Sequence, residues 1–245
     1  MEFIGEVIAW FADPSTWSGR DGIPVRLWEH VSLAAAALGV GTLIALPLGL
    51  LIGHTGRGAL AVVSIANIGR AVPSLGWLGI VFVPALTLGL GLGFWPALFA
   101  LVPLAIPPIV TNTYTGLREV DRDLVEAGRG MGMREWQILR RIEIPVALPI
   151  ILAGIRTSAV QVVATATLAA VIAGGTLGHL ILVGIAIGDD VQVFGAALLV
   201  ALLAILTELS FAALQRAATS PGLRDRVLVP TEPAQVGRGG ADVAF

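Results

Sequence analysis

Runs of about twenty consecutive apolar residues, separated by short polar breaks, constrain this chain more than any other feature. A helix needs roughly 20 apolar residues to cross a hydrocarbon core about 30 Å thick, and in lipid it must satisfy its own backbone hydrogen bonds. Such runs fall at about 30–53, 59–86, 94–115, 146–172 and 191–214. A shorter one at about 176–188 reads as a re-entrant or interfacial helix. The expected fold is therefore an all-α polytopic membrane protein with about five spans. Six is the alternative, either because 176–188 crosses or because 59–86 divides at Pro73.

Composition fits the bilayer as solvent. Of 245 residues, 56% are hydrophobic and 13% charged, against about 25% charged in a typical soluble domain. The mean hydropathy is +0.88. A net charge of −2 gives no reason to expect a nucleic-acid partner. No cysteine is present, which excludes disulfides, cysteine-ligated zinc and thiol catalysis. His30, His54 and His179 lie far apart at span ends without metal-ligand spacing, so no metal site is expected. All fifteen cationic side chains are Arg, a bias of the source genome rather than a chemical signal.

Three segments follow. Residues 1–29 form an N-terminal interfacial or extracytoplasmic segment. Its start, MEFIGEVIAWFA, carries Glu2 and Glu6 with no basic stretch before them, so it reads as an amphipathic interfacial helix rather than a cleaved signal. Residues 30–215 form the transmembrane domain, and 216–245 a polar, Gly/Pro/Arg-rich tail of disordered character. Arginines concentrate in 117–145, in the break around Arg57 and in the tail around Arg216. With five spans these fall on one side, the cytoplasmic one by the positive-inside rule, leaving the N-terminus outside.

The long polar segment 117–145 is not a plain linker. Leu124, Val125, Ala127, Gly128, Met131, Ile138, Leu139 and Ile142 recur at three- and four-residue spacing, giving an apolar stripe. Glu119, Asp121, Asp123 and Glu126 crowd the front of the first short helix, where the dipole favours them. Gly130 and Gly132 permit a sharp turn, and Pro145 suits the first turn of the next span. The segment reads as a helix–turn–helix knob suited to a groove on a partner protein.

Here the chain resembles the permease subunits of binding-protein-dependent ABC importers. Their cytoplasmic signature has the form E-A-A-x3-G-x9-I-x-L-P. Glu126, Ala127 and Gly128 stand for E-A-A, followed at the same spacing by Gly132, Ile142 and Pro145. Gly128 and Ile144 are the two departures. The stretches Ile65–Leu75, Pro107–Leu117 and Ile172–Gly178 are similar to those of the glycine betaine/choline/carnitine/proline subfamily.

The resemblance implies a MetI-like permease fold and a path for a compatible solute such as glycine betaine, choline, carnitine or proline, with another small solute such as an amino acid as the alternative. Its implied partners are cytoplasmic ATPase subunits, an extracytoplasmic solute-binding protein and a second permease, identical or homologous. The plasma membrane is the implied location. ATP would be bound by the separate ATPase, because no G-x4-G-K-[ST] loop occurs here. The loop would dock on that subunit and move as a rigid body, and a bulky residue at Gly132 would be expected to abolish coupling.

Arg70 lies inside a span, so it reads either as a path-lining residue or as half of a structural pair. Pro73 and Ser74 beside it break the helix and free carbonyls. Asn112, with Thr111 and Thr113, offers polar groups to the path or to interhelical hydrogen bonds. Glu208 reads as a pairing residue. Asp189 and Asp190 read as a solvated turn or a contact for the binding protein. A secondary transporter would show internal repeats and several buried acids, and a membrane enzyme a catalytic cluster. Neither pattern is present in the sequence.

Overall fold

The computed structural model describes residues 2–219. All its regular elements are helical among these residues. A short helix α1 (Glu2–Ala12) and a single turn α2 (Pro14–Trp17) lead into α3 (Ile23–Thr55). The first spanning helix thus starts at Ile23 rather than near residue 30. Pro24 sits in its first turn, where a missing N–H costs nothing, and extends the helix forward. Helix α1 does not lie free at the interface. It rests on the last span, with Phe3 edge-to-face on Phe194 at 5.4 Å and Trp10 against Gly195.

The second apolar run is not one straight helix. It forms α4 (Ala59–Ala71) and α5 (Ser74–Thr87), bent by 95° at Val72-Pro73. Proline cannot donate to the ladder and biases the residue before it toward extended backbone, so Val72 adopts ψ 123 and the helix stops. Trp77 Nε1 donates to the Gly69 carbonyl at 3.0 Å and holds the elbow shut.

Helix α6 (Phe94–Arg118) is the most buried span and forms the centre of the bundle. Its contact with α3 is made by small residues. A Cβ on Gly41, Gly49 or Gly53 would lie 2.6, 2.6 or 2.9 Å from the Cβ of Ala105, Thr113 or Leu117. These pairs share one offset along both helices, so α3 and α6 run parallel. The chain must therefore return across the bundle between them, and the α4–α5 pair makes that return. Four helices are long and apolar enough to cross a membrane, and counting this broken pair as one span gives five.

Beyond the polar loop, α9 (Ile144–Thr165) runs antiparallel to α6, with Gly154 against Asn112 and Ser158 Oγ donating to the Ala105 carbonyl at 2.9 Å. The run ends in a tighter 3₁₀ segment, Ala166–Ile172. Helix α10 (Thr176–Ile187) has twelve residues, about 18 Å, too short to cross, and forms a hairpin with α11 (Asp190–Ala218). Asp189 caps α11 by accepting from Gln192 N at 2.9 Å, which gives that acid a local role. The final helix includes 216–218, so the polar tail begins later than residue 216, and the rest of the predicted tail lies outside the described residues.

Candidate functional site: the loop between α6 and α9

The loop folds as α7 (Arg122–Gly130), a turn, and α8 (Glu135–Ile138). Asp121 caps α7 by accepting from Asp123 N at 2.9 Å. Gly132 takes φ +80, the left-handed geometry that reverses the chain. Arg129 closes the turn with two bonds to Glu135, at 2.9 and 3.0 Å. Their hydrogen bond holds the exposed Glu135 carboxyl below its ordinary value and raises Arg129. A carboxyl depressed in this way keeps its partner at neutral pH and releases it only as pH falls through the lowered value.

α8 does not stop before the next span. Leu139–Glu143 forms a π turn that runs continuously into α9, with Ile144 N bonding to Leu139 O. Pro145 lacks an N–H and its ring crowds the carbonyl four residues back, and a one-residue shift of the ladder relieves both problems. The loop is therefore rigidly joined to α9.

The predicted apolar stripe divides in two. Gly128 and Ile138 are buried, and Val125, Leu139 and Ile142 pack on Leu117, Val120, Ala147 and Ile151 at the foot of α6 and α9. Leu124 and Met131 point outward, at 49% and 76% exposure, joined by Trp136, which lies outside the predicted stripe, at 64%. Glu126 and Ala127 are exposed beside them. Gly128 makes its close approach inside the loop, where an added Cβ would lie 2.9 Å from Ile142 Cδ1. Gly132 faces open space. Gly132→Val should therefore strain the backbone by about 1–2 kcal/mol without a clash. The expected result is a turn more sensitive to protease, with the coupling that the resemblance implies weakened several-fold rather than abolished, read by limited proteolysis of the inserted protein.

Sequence reasoning did not anticipate what secures the loop to the bundle. His54, at the end of α3, places Nδ1 2.5 Å from Glu143 Oε2 and Nε2 3.5 Å from Glu135 Oε2. The His54 and Glu143 side chains are 14% and 8% exposed. The histidine is thus a clasp between the first span and both arms of the loop, not a simple interface residue. A polar recess of about 270 Å³ opens beside it, with Arg118, Arg122 and Arg129 on its wall. His30, placed at a span end by the sequence, is fully buried and pairs through Nε2 with the Val163 carbonyl at 2.8 Å.

The candidate path residues are not assembled into one site. Arg70 is exposed at the end of α4, beside the elbow formed by Pro73 and half-buried Ser74, and it has no ion pair among the described residues. Asn112 lies instead in the α6–α9 contact, donating to the Pro108 carbonyl of its own helix at 2.8 Å. Thr111 and Thr113 make no interhelical hydrogen bond, and their hydroxyls are buried without partners. Glu208 pairs with Arg156 of α9. Arg156 gave no sequence signal beyond being a charge within an apolar run.

A five-crossing helical bundle whose broken span, parallel α3–α6 pair and clasped α7–α8 handle stand as described defines an inner-membrane transport component. The chain belongs to the family of binding-protein-dependent transport system inner membrane components, whose sequence pattern matches residues 45–220. It is 40% identical over 196 residues to the glycine betaine/carnitine/choline transport system permease protein OpuCB of Bacillus subtilis, covering 80% of this chain and 88% of that one. It is 39% identical over 197 residues to the osmoprotectant import permease protein OsmW of Salmonella typhimurium, covering 80% and 92%. Among solved structures, a chain of the MetNI methionine ABC transporter in inward-facing conformations superposes with a TM-score of 0.70 at 25% identity, covering 79% of this chain and 94% of that chain. The fold is accordingly MetI-like.

Proposed function

We propose that this chain is the membrane-spanning permease of an ATP-driven importer for compatible solutes of the betaine, carnitine and choline type. In this reading the α7–α8 loop faces the cytoplasm and docks into a separate ATPase, and the N-terminus lies outside. The observation that carries it is the outward set of Leu124, Met131 and Trp136 on a loop clamped to three spans. Apolar side chains held in water at the tip of a rigid handle suit a partner's groove. Basic residues at the same end of the bundle, Arg57, Arg118, Arg140, Arg141 and Arg216, favour placing that end inside. Glu126 and Ala127 border the docking face, while Gly128, Ile142 and Pro145 shape and anchor it. The names of the relatives supply the solute class. A solute-binding protein outside and a second permease complete the assembly.

The test is purification of the tagged chain with its neighbouring ATPase, followed by uptake of labelled glycine betaine, carnitine and choline in vesicles. Trp136→Asp is expected to reduce ATPase recovery at least tenfold while the permease still inserts. Undiminished recovery with that variant, or labelling of the loop from outside the cell, refutes the reading.

A further inference from the structure

Arg156 and Glu208 form an ion pair between α9 and α11. Arg156 is roughly 18 Å from the start of its helix, and Glu208 roughly 15 Å from the end of its own, at 1.5 Å rise per residue. Both charges therefore lie well inside the apolar slab, yet their side chains are 35% and 39% exposed. Hydrocarbon cannot solvate a charge, so a half-exposed pair at this depth faces water or protein rather than lipid.

Its surroundings agree. An open groove of about 480 Å³ runs beside the pair, lined by Thr157, Val160, Gln161 and Ala164. No large apolar side chain is exposed along α9, whereas Leu43 and Leu51 on α3 and Leu202, Leu206 and Leu209 on α11 are. The latter surfaces suit lipid. The α9 face is mixed: Ala153, Val160 and Ala164 alternate with Arg156, Thr157 and Gln161 along one side, and no long apolar chain projects from it. Arg156 also donates to Gln215 Oε1 at 3.3 Å, and the Gln215 amide donates to the Pro149 carbonyl at 3.0 Å, which steadies the guanidinium from the far side.

We propose that Arg156 and Glu208 form a binding site in the transport path for a small zwitterion, with Arg156 taking the carboxylate and Glu208 facing the ammonium group. This rests on the reading of the chain as a solute-importing permease. A solute with both charges replaces one ion pair by two and leaves none unmatched. A purely cationic solute would strand the guanidinium, which geometry otherwise suits for carboxylate. The groove volume lies within the ordinary range for small-molecule sites. The site therefore favours glycine betaine or carnitine over choline.

The chain has no cysteine, so Thr157→Cys and Gln161→Cys can be followed singly by the mass shift of this subunit in the assembled transporter. The reagent is a water-soluble, membrane-impermeant thiol probe, and Leu206→Cys is the lipid-facing control. Labelling of the groove positions at least tenfold faster than the control, slowed several-fold by glycine betaine, is the expected result. In uptake, Arg156→Gln is expected to lower glycine betaine transport at least tenfold and choline transport much less. A merely structural pair would lower both alike, and that outcome overturns the site. So does labelling no faster than the control, or the absence of protection by glycine betaine. If the wild-type transporter carries none of these solutes, the solute class fails and missing protection follows from that; protection judges the site where glycine betaine is carried, and the labelling rate judges the groove in either case.

Discussion

Gly128→Val is expected to lower ATP-driven uptake by roughly 5–150-fold while the bundle inserts and folds. A Cβ at this position already meets Ile142 Cδ1 at 2.9 Å, with Met133 Sδ at 3.5 Å and Ile138 Cγ1 at 3.6 Å. Valine adds two methyl groups where no space is left, and overpacking of this kind costs about 1–3 kcal/mol. The loop is a nine-residue helix and a four-residue helix with little core of its own, so the strain falls on the handle rather than on the spans. If docking requires the ordered handle, that energy converts to the stated range. Gly128→Ala is the control. Its single methyl meets only the flexible tip of Ile142, which can rotate aside, and uptake should stay within about twofold. Equal loss with alanine and valine would place the requirement on glycine backbone freedom instead of on packing. The measurements are vesicle uptake and protease sensitivity of the loop.

His54→Leu is expected to produce the second large effect. It removes the partner of Glu143, whose side chain is 8% exposed. Leaving one member of a buried pair alone costs about 3–5 kcal/mol, an upper figure here because Glu143 can turn toward the adjoining recess. Thermal melting of the purified transporter should drop by several degrees and uptake should fall at least tenfold. The double change His54→Leu with Glu143→Leu separates two roles. Replacing both partners by apolar residues restores most of the stability. If α3 must be pulled by the loop through this contact, stability returns and uptake does not. Recovery of both would make the clasp a matter of stability alone.

Much of the loop was legible because its chemistry is local. The acids before α7, Gly132 at the turn and the E-A-x-spacing through Pro145 are short-range signals, and α7 and α8 formed where those signals placed them. The apolar stripe was legible as a repeat but not as two faces. Periodicity reports that apolar residues share a side, and only the position of α6 and α9 decides that Ile138 is buried while Met131 is exposed. Gly132 was legible as a turn glycine, whereas Gly128 was legible only as a stripe and signature position. One needs its positive φ and the other its missing Cβ, and that distinction comes from Ile142, fourteen residues away.

The sequence by itself determined that the chain is built of apolar helices long enough to cross a membrane, with a folded polar segment between two of them. Runs of twenty apolar residues have no other low-energy state in lipid, and caps, glycines and prolines act within a turn or two. Tertiary structure decided how the run broken at Pro73 is used, since the parallel seating of Gly41, Gly49 and Gly53 on α6 requires the chain to return between the two helices. It also decided the partners of the charges: His54 with Glu143, 89 residues apart, and Arg156 with Glu208. An isolated charge in an apolar run signals that it must be paired or hydrated, but the identity of its partner depends on which helices become neighbours. That neighbourhood is set by the packing of small residues across the bundle, which no local pattern encodes.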